Sequence, residues 1–397
     1  MFNSFFLKNF ISWLDKISFL RRRKTRRLSF QFLFLVFIAL IFWYLVSKAM
    51  QLDFGFSHLN SRAGFGLSHS FLIDYTSNDS RWQAYFTGVV NTIRICSLGI
   101  LLTTILGTLM GVARLSSNFL VSRFSALYIE ILRNTPLLVQ IVFWQIIFLK
   151  LPQISDAITV GGFTAISNRG ILIPWIDANP KSEIFLGIVL IAVVLSITSK
   201  IFLNRKEDVT GQKLHSNSVS LIIFFVISLV GLLGTGIPFN WDIPSISQNE
   251  FGTFMQSGGF ELSPEFLALL FALVLYTGTY VTEIVRGSIQ SLPKGQSEAA
   301  QALGLSSYQR ITLVILPQAL RSIIPPLTNQ YLNLTKNSSL AVVIAYPDLF
   351  MVSRTIINNS GHALPMFLVI LLTYLILSLI ISLIMNFLNR QVTKVRV

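Results

Sequence analysis

The sequence predicts an all-α polytopic membrane protein with about eight transmembrane helices. Three observations carry that prediction. The 397-residue chain is 53% hydrophobic and only 12% charged, about half the charge of a soluble domain. Its apolar residues fall into runs of about 20, the length that crosses a bilayer as a helix. Its arginines and lysines gather in short segments between the runs, mostly on one side. Membrane lipid is therefore the first partner that composition implies. Topology also explains the net charge of +14 without nucleic acid.

The elements follow in order. Residues 1–29 form a basic N-terminal segment. Within it, Phe6, Phe10, Leu14 and Ile17 recur at helical spacing opposite Lys8, Ser12, Asp15 and Lys16. That pattern fits a short interfacial helix or a disordered basic tail. "RRRKTRRLSF" then leads into the run 30–48. The run is long and ends at Ser47, Lys48 and Ala49, a poor cleavage site, so an uncleaved anchor span is expected. A loop covers 49–85, and further spans are expected at 86–112 and 125–149. Runs 184–203 and 218–237 are apolar nearly all round and joined by "NRKEDVTGQKLHSNS". They read as a peripheral hairpin, 184–237, inserted between neighbours. The last spans are 264–286, 322–345 and 365–388, with a tail at 391–397. Counted over alternate loops, about 21 Lys and Arg lie on the N-terminal side and about 7 on the other. Both termini, and the segment 287–320, are therefore expected in the cytoplasm.

Four spans carry polar stripes. Thr87, Asn91 and Arg94 share a face, as do Glu130, Arg133 and Asn134. Tyr276, Thr279, Tyr280, Glu283 and Arg286 make a third stripe, and Asn329, Asn333, Lys336 and Asn337 a fourth. Charge at membrane depth is costly unless paired or facing a wet cavity, so these spans belong inside the bundle. By the same test 365–388 belongs at the periphery. Glu130 with Arg133, and Glu283 with Arg286, stand at a spacing where helical side chains meet. Both are expected to be structural ion pairs. Asn91, Tyr280, Asn329, Asn333, Lys336 and Asn337 are candidates for a substrate path. Lys336 lies about 21 Å along its span, counted from residue 322. A cation there suits a carboxylate on such a path; the alternative is a buried anchor paired with a carboxylate or a helix C-terminus of a neighbouring span.

Several chemistries are disfavoured. Cys96 is the single cysteine, and the four histidines are scattered, so no metal site is expected. No Gly-x-x-x-x-Gly-Lys-Ser/Thr stretch occurs to cradle a nucleotide. No nucleophile–base pair stands out. No cofactor is expected, and the chain does not read as an enzyme.

One polar stretch remains, "GQSEAAQALGLSSYQRITLVILPQAL", from Gly295 to Leu320. Pro293 pre-sets a helix start, and Gly304 suits the position after a helix end. Ser306 with Gln309 spells a capping box for a second helix, which Pro317 is expected to interrupt. Ala299, Ala300 and Ala302 offer a small-residue surface. Two short helices joined at Gly304 would form a cytoplasmic knob; the alternative is an amphipathic connector lying on the membrane.

This stretch resembles the EAA signature of permease subunits of ATP-binding-cassette (ABC) importers. Glu298, Ala299, Ala300, Gly304, Leu316 and Pro317 match in register, and Val314 stands where the pattern prefers Ile. "VVNTIRI", "YIEILRNTPLLVQIVFW", "YTGTYVTEIVRGSIQSLPKGQSEAA" and "LTKNSSLAVVIAYPDL" are similar to the polar amino acid permeases. "SRAGFGLSHSFLIDYTSNDSRWQAYFTGVVNT" and the "RNTP" form resemble the general L-amino acid and glutamate/glutamine/aspartate/asparagine branch. The resemblance implies a permease domain over 86–390 with five core spans, 365–388 among them despite its apolar character. It implies that Gly295, Glu298, Ala299, Ala300, Gly304 and Pro317 serve ATPase coupling. It also implies a separate cytoplasmic ATPase, a second permease subunit, a periplasmic amino-acid-binding protein and a bacterial inner-membrane location. The competing expectation is a secondary amino acid transporter driven by an ion gradient, which Glu130 and Glu283 at membrane depth would suit.

Overall fold

The computed structural model describes residues 23–49, 55–178, 180–212, 215–236, 239–248 and 254–393. The amphipathic pattern expected over residues 6–17 lies outside them. The long helices are α1 (Arg23–Ala49), α2 (Arg81–Arg114), α3 (Phe119–Asn134), α4 (Leu137–Leu149), α5 (Pro180–Thr210) and α6 (Ser216–Thr235). They continue with α7 (Pro264–Gln290), α8 (Lys294–Ala302), α9 (Leu316–Asn337), α10 (Leu349–Ser360) and α11 (Ala363–Thr393). Among the described residues seven stretches are long and apolar enough to cross a membrane, or eight if α3 and α4 count as one broken span.

Local chemistry sets the ends. The Ser80 hydroxyl accepts from Gln83 N–H, so α2 begins ahead of its apolar run. Ser263 caps α7, with Pro264 in its first turn.

α2 and α7 form the centre, with α4 and α9 packed on α7 and α10 packed on α2. The inward face of α2 is built of small residues: Gly88, Thr92, Cys96, Gly99, Thr103, Gly107 and Gly111 are all buried. Such a stripe lets helix backbones approach closely where no hydrophobic drive joins them. A Cβ on Gly107 would stand 2.5 Å from Val281 Cβ and 3.1 Å from the Gly278 carbonyl oxygen. Gly107→Ala is therefore expected to cost about 1–3 kcal/mol by overpacking. Gly187 has open space around it, so Gly187→Ala should leave stability unchanged or raise it. Thermal unfolding of both variants in detergent checks the contrast.

The span expected at 125–149 is not one straight helix: α3 and α4 meet at 104°. Pro136 lacks an N–H and drives Thr135 out of helical geometry, to φ −96° and ψ 129°. Two carbonyls freed at the bend are taken by one side chain. Gln140 Nε2 donates to Leu132 O at 2.7 Å and Thr135 O at 3.0 Å. The span expected at 322–345 also breaks. α9 gives way at Ser338 to a 3-10 helix ending at Ile344, and Ala345 follows with φ +57°. Pro325 and Pro326 lie inside α9.

The sequence reading missed α10. Asp348 caps it, and Leu349, Val352, Ser353 and Ile356 form its buried face. A polar clamp holds its entry to α2. Asn91 Nδ2 donates to Pro347 O at 2.9 Å and His69 O at 3.1 Å. Leu349 N–H donates to Thr92 Oγ1, and the Tyr346 hydroxyl donates to Asn91 O.

α5 and α6 pack mainly on each other. Their ends away from the α5–α6 connection carry short antiparallel strands, also missed: β1 Ile158–Val160, β2 Thr164–Ser167, β3 Gly170–Ile173 and β4 Trp175–Ala178 before α5. After α6 come β5 Phe239–Asp242, β6 Ser245–Gln248, β7 Phe254–Ser257 and β8 Phe260–Leu262. One sheet runs β1-β2-β3-β8, and β4–β5 and β6–β7 are separate pairs. α11 packs on α9 and α10 yet leaves Leu371, Leu375, Leu379 and Leu383 exposed. One face thus serves the core and the other meets lipid, which is why polarity alone assigned this helix to the periphery.

Candidate coupling loop and polar path

The loop after α7 is shaped by hydrogen bonds within a few residues. α8 ends in a Schellman turn: Leu305 N–H donates to Ala300 O and Gly304 N–H to Gln301 O. Gly304 sits at its centre with φ +76°, a backbone state that side chains oppose. Ser306 and Gln309 complete a reciprocal capping box around the single turn Ser307–Gln309. Gln318 Nε2 donates to Gln296 Oε1 at 3.2 Å and ties α8 to the start of α9.

Two expectations for this loop need correction. Pro317 does not interrupt the second helix. Arg310–Ile315 forms a π-helical stretch that leads into α9, and Pro317 stands in the first turn of α9, where a missing N–H costs least. Ala300 is 3% exposed and packs inward, so it cannot present a surface. Gly295, Glu298, Ala299 and Ala302 are exposed. The sequence reading also missed two apolar side chains on the turn, Leu303 and Tyr308, which are 81% and 77% exposed.

The polar stripe of α9 faces out of the chain. Ala319, Ile323, Leu327, Tyr331 and Leu334 are buried, while Asn329, Asn333 and Lys336 are exposed and Asn337 is half-buried. Tyr331 anchors the buried side, its hydroxyl 2.7 Å from Thr104 Oγ1. Lys336 makes no ion pair among the described residues, so no described carboxylate of this chain anchors it. Asn91 does not join the stripe. It is 1% exposed and spent in the clamp on α10.

The charged pairs differ. Glu283 Oε2 and Arg286 Nη2 lie 2.6 Å apart, and Arg286 Nη1 also donates to Gln290 Oε1. Among the described residues Glu130 and Arg133 form no such pair, which corrects the expectation for them. Arg133 instead lays its guanidinium 4.9 Å from the centre of the Tyr280 ring. That contact joins α3 to α7, so Arg133 is used between helices rather than within one. The Tyr280 hydroxyl is 3.0 Å from that of Tyr276.

Comparison with known proteins bears on this arrangement. Residues 216–394 match the family of binding-protein-dependent transport system inner membrane components. The chain is 38% identical over 380 residues to the general L-amino acid transport system permease protein AapQ of Rhizobium johnstonii, covering 94% of this chain and 93% of that one. The chain belongs to the ABC amino acid importer permeases. It is also 36% identical over 396 residues to the glutamate/glutamine/aspartate/asparagine transport system permease protein BztB of Rhodobacter capsulatus, covering 90% of this chain and 91% of that one. A putative amino-acid ABC transporter permease protein of Escherichia coli, YhdX, is 38% identical over 343 residues, 86% of each chain. The protein is thus a multi-pass inner-membrane permease.

The Glu283–Arg286 pair of this permease is about one-third exposed, so its attraction is screened where water reaches it. Arg286→Ala leaves Glu283 unpaired beside the membrane and should reduce assembled protein. Removing Glu283 as well should restore it. Yields of the single and double variants by size exclusion decide the matter, and no gain in the double variant refutes the pairing role.

Proposed function

We propose that this permease couples a separate cytoplasmic ATPase to amino acid import, with substrate delivered by a periplasmic binding protein. The observation that carries this reading is the loop 294–317: a rigid, glycine-centred knob with Glu298, Leu303 and Tyr308 on its surface. Exposed Leu303 and Tyr308 at the tip of a cytoplasmic loop suit burial in a groove of another protein. Nucleotide binding in that partner would move the knob, and α9, continuous with it, would carry the motion into the membrane.

The outward stripe of α9 supports a second permease subunit. Asn329, Asn333 and Lys336 cannot face lipid without large cost, so a second copy or a homologous chain would cover them and leave a wet path between. In this reading residues 86–390 are the permease domain, 184–237 an inserted hairpin, and 287–320 the coupling loop, with both termini cytoplasmic. The chain itself performs no catalysis. Glutamate, glutamine, aspartate and asparagine lead the substrate panel on account of the relatives' names. The ion-gradient alternative draws no support from those relatives.

Cys96 is buried, so a Leu303→Cys variant would offer one accessible thiol. An impermeant maleimide should label it only after the inner membrane is opened. A cleavable cross-linker on that thiol should capture a nucleotide-binding protein. Labelling of intact spheroplasts would overturn the orientation, and absence of a nucleotide-binding adduct would overturn the coupling role.

A further inference from the structure

We propose that Arg94 is the anion site of a phospholipid pocket in the leaflet opposite the coupling loop. Arg94 stands on a membrane-crossing helix, and among the described residues no ion pair joins it. Its guanidinium carbon lies 4.7, 4.8 and 4.0 Å from the ring centres of Phe71, Phe260 and Phe266. Aromatic faces attract the positive charge, but they leave in-plane N–H donors without an acceptor. Nη2 is buried and has no hydrogen-bond partner. An unpaired donor on a cation is the costly case at membrane depth. Nη2 is covered, so an anion in the cavity that Arg94 lines would accept from Nε and Nη1, which make no hydrogen bond among the described residues and are not buried.

The space beside Arg94 specifies what carries the anion. A cavity of about 700 Å³ opens there, with Ile93, Leu98, Ile173, Leu267 and Leu270 in its wall and Trp175 at its edge. Apart from Arg94 the lining is almost wholly apolar, Ser97 being the main exception. A zwitterionic amino acid fits this badly: one end would find Arg94, and its ammonium would find no carboxylate. An acyl chain fits it well. The level is also right. α2 has 34 residues, about 51 Å at 1.5 Å each, against a hydrocarbon core of about 30 Å. The first turns of α2 are packed with the loop that holds Leu59 and Ala63, and Arg94 follows about 20 Å along the axis. β8 and β4 overhang it, Phe260 and Trp175 stacking at 4.4 Å. Tryptophan at such a boundary marks the headgroup level. A phosphodiester at Arg94 would place its chain against α2 and α7, beneath the strands.

The test uses the purified full-length permease with its partner subunits. Phosphatidylglycerol with brominated acyl chains is titrated while tryptophan fluorescence is followed, and the difference from Trp175→Phe separates the signal of Trp175, one of the six tryptophans of the chain, from the rest. Saturable quenching of Trp175 is expected. Arg94→Gln should weaken it about tenfold, as loss of a charge-assisted contact implies. Leu98→Phe, which narrows the cavity, leaves Arg94 in place and adds no tryptophan, should also weaken it. The matching diacylglycerol should bind about tenfold less tightly than the phospholipid, and inorganic phosphate should not displace the lipid. Unchanged lipid affinity in both variants overturns the proposal. So does displacement by phosphate alone, which marks a free-anion site, or by glutamate, which marks a substrate site. If Arg94→Gln does not fold, Leu98→Phe and the diacylglycerol arm decide: wild-type binding in either rejects the pocket.

Discussion

Gly304→Val is expected to insert, accumulate and bind its partners, yet lose substrate-stimulated ATP hydrolysis. Gly304 has φ +76°, and a Cβ there would meet nothing within 4 Å. The penalty is therefore conformational and not steric crowding by neighbours. It amounts to about 1–2 kcal/mol for an ordinary side chain, and more for a β-branched one. The loop is exposed, so the turn would relax into another geometry and global stability would hardly change. The relaxed turn would lose the two Schellman hydrogen bonds from Leu305 and Gly304 and misdirect Leu303 and Tyr308. Asparagine tolerates the left-handed region, so Gly304→Asn should retain most coupling. ATPase assays in proteoliposomes, with and without loaded binding protein, separate the variants. Full stimulation in Gly304→Val would show that the turn does not transmit the signal.

Lys336→Met is expected to abolish most transport while sparing assembly and basal ATP hydrolysis. Lys336 lies 20 positions beyond Leu316, about 30 Å along the axis of α9. It is exposed on the chain, and its flank carries Asn333 and Asn329. A cation on a wet path can pair with the α-carboxylate that every amino acid carries. Charge-assisted contacts of this kind contribute about 1.5–3 kcal/mol, so transport should fall about tenfold or more. Met keeps most of the apolar stem, so packing is little disturbed. Lys336→Arg should retain part of the activity. Loss of assembly in Lys336→Met, in place of loss of transport, would assign the lysine to the subunit interface.

Much of this architecture is legible in the sequence because bilayers impose strict rules. Lengths of apolar runs identified the crossing helices, and Ser306, Gln309 and Gly304 encoded the loop 294–317 through caps whose geometry depends only on near neighbours. What escaped depends on tertiary partners. The bend at Thr135–Pro136 needed Gln140 to absorb the freed carbonyls, and apolarity continues across it. α10 is too short and too polar for a window of about 20 residues. The inserted strands are only 3 or 4 residues each, and β3 with β8 and β4 with β5 pair across the α5–α6 hairpin. Spacing alone paired Glu130 with Arg133, but the nearer partner of Arg133 was the Tyr280 ring on another helix. Asn91 looked like a path residue because its face was polar. Its amide nitrogen is instead spent on the backbone carbonyls of His69 and Pro347.

The central claim is that this permease draws its energy from a nucleotide-driven partner through the loop around Gly304. Uptake of labelled glutamate, glutamine, aspartate and asparagine into proteoliposomes carrying the assembled complex tests it most directly. ATP is enclosed, binding protein is added outside, and ionophores collapse proton and sodium gradients. The account predicts uptake that survives the ionophores and falls to background without ATP or with Gly304→Val. Uptake that follows the ion gradient and ignores ATP would contradict it.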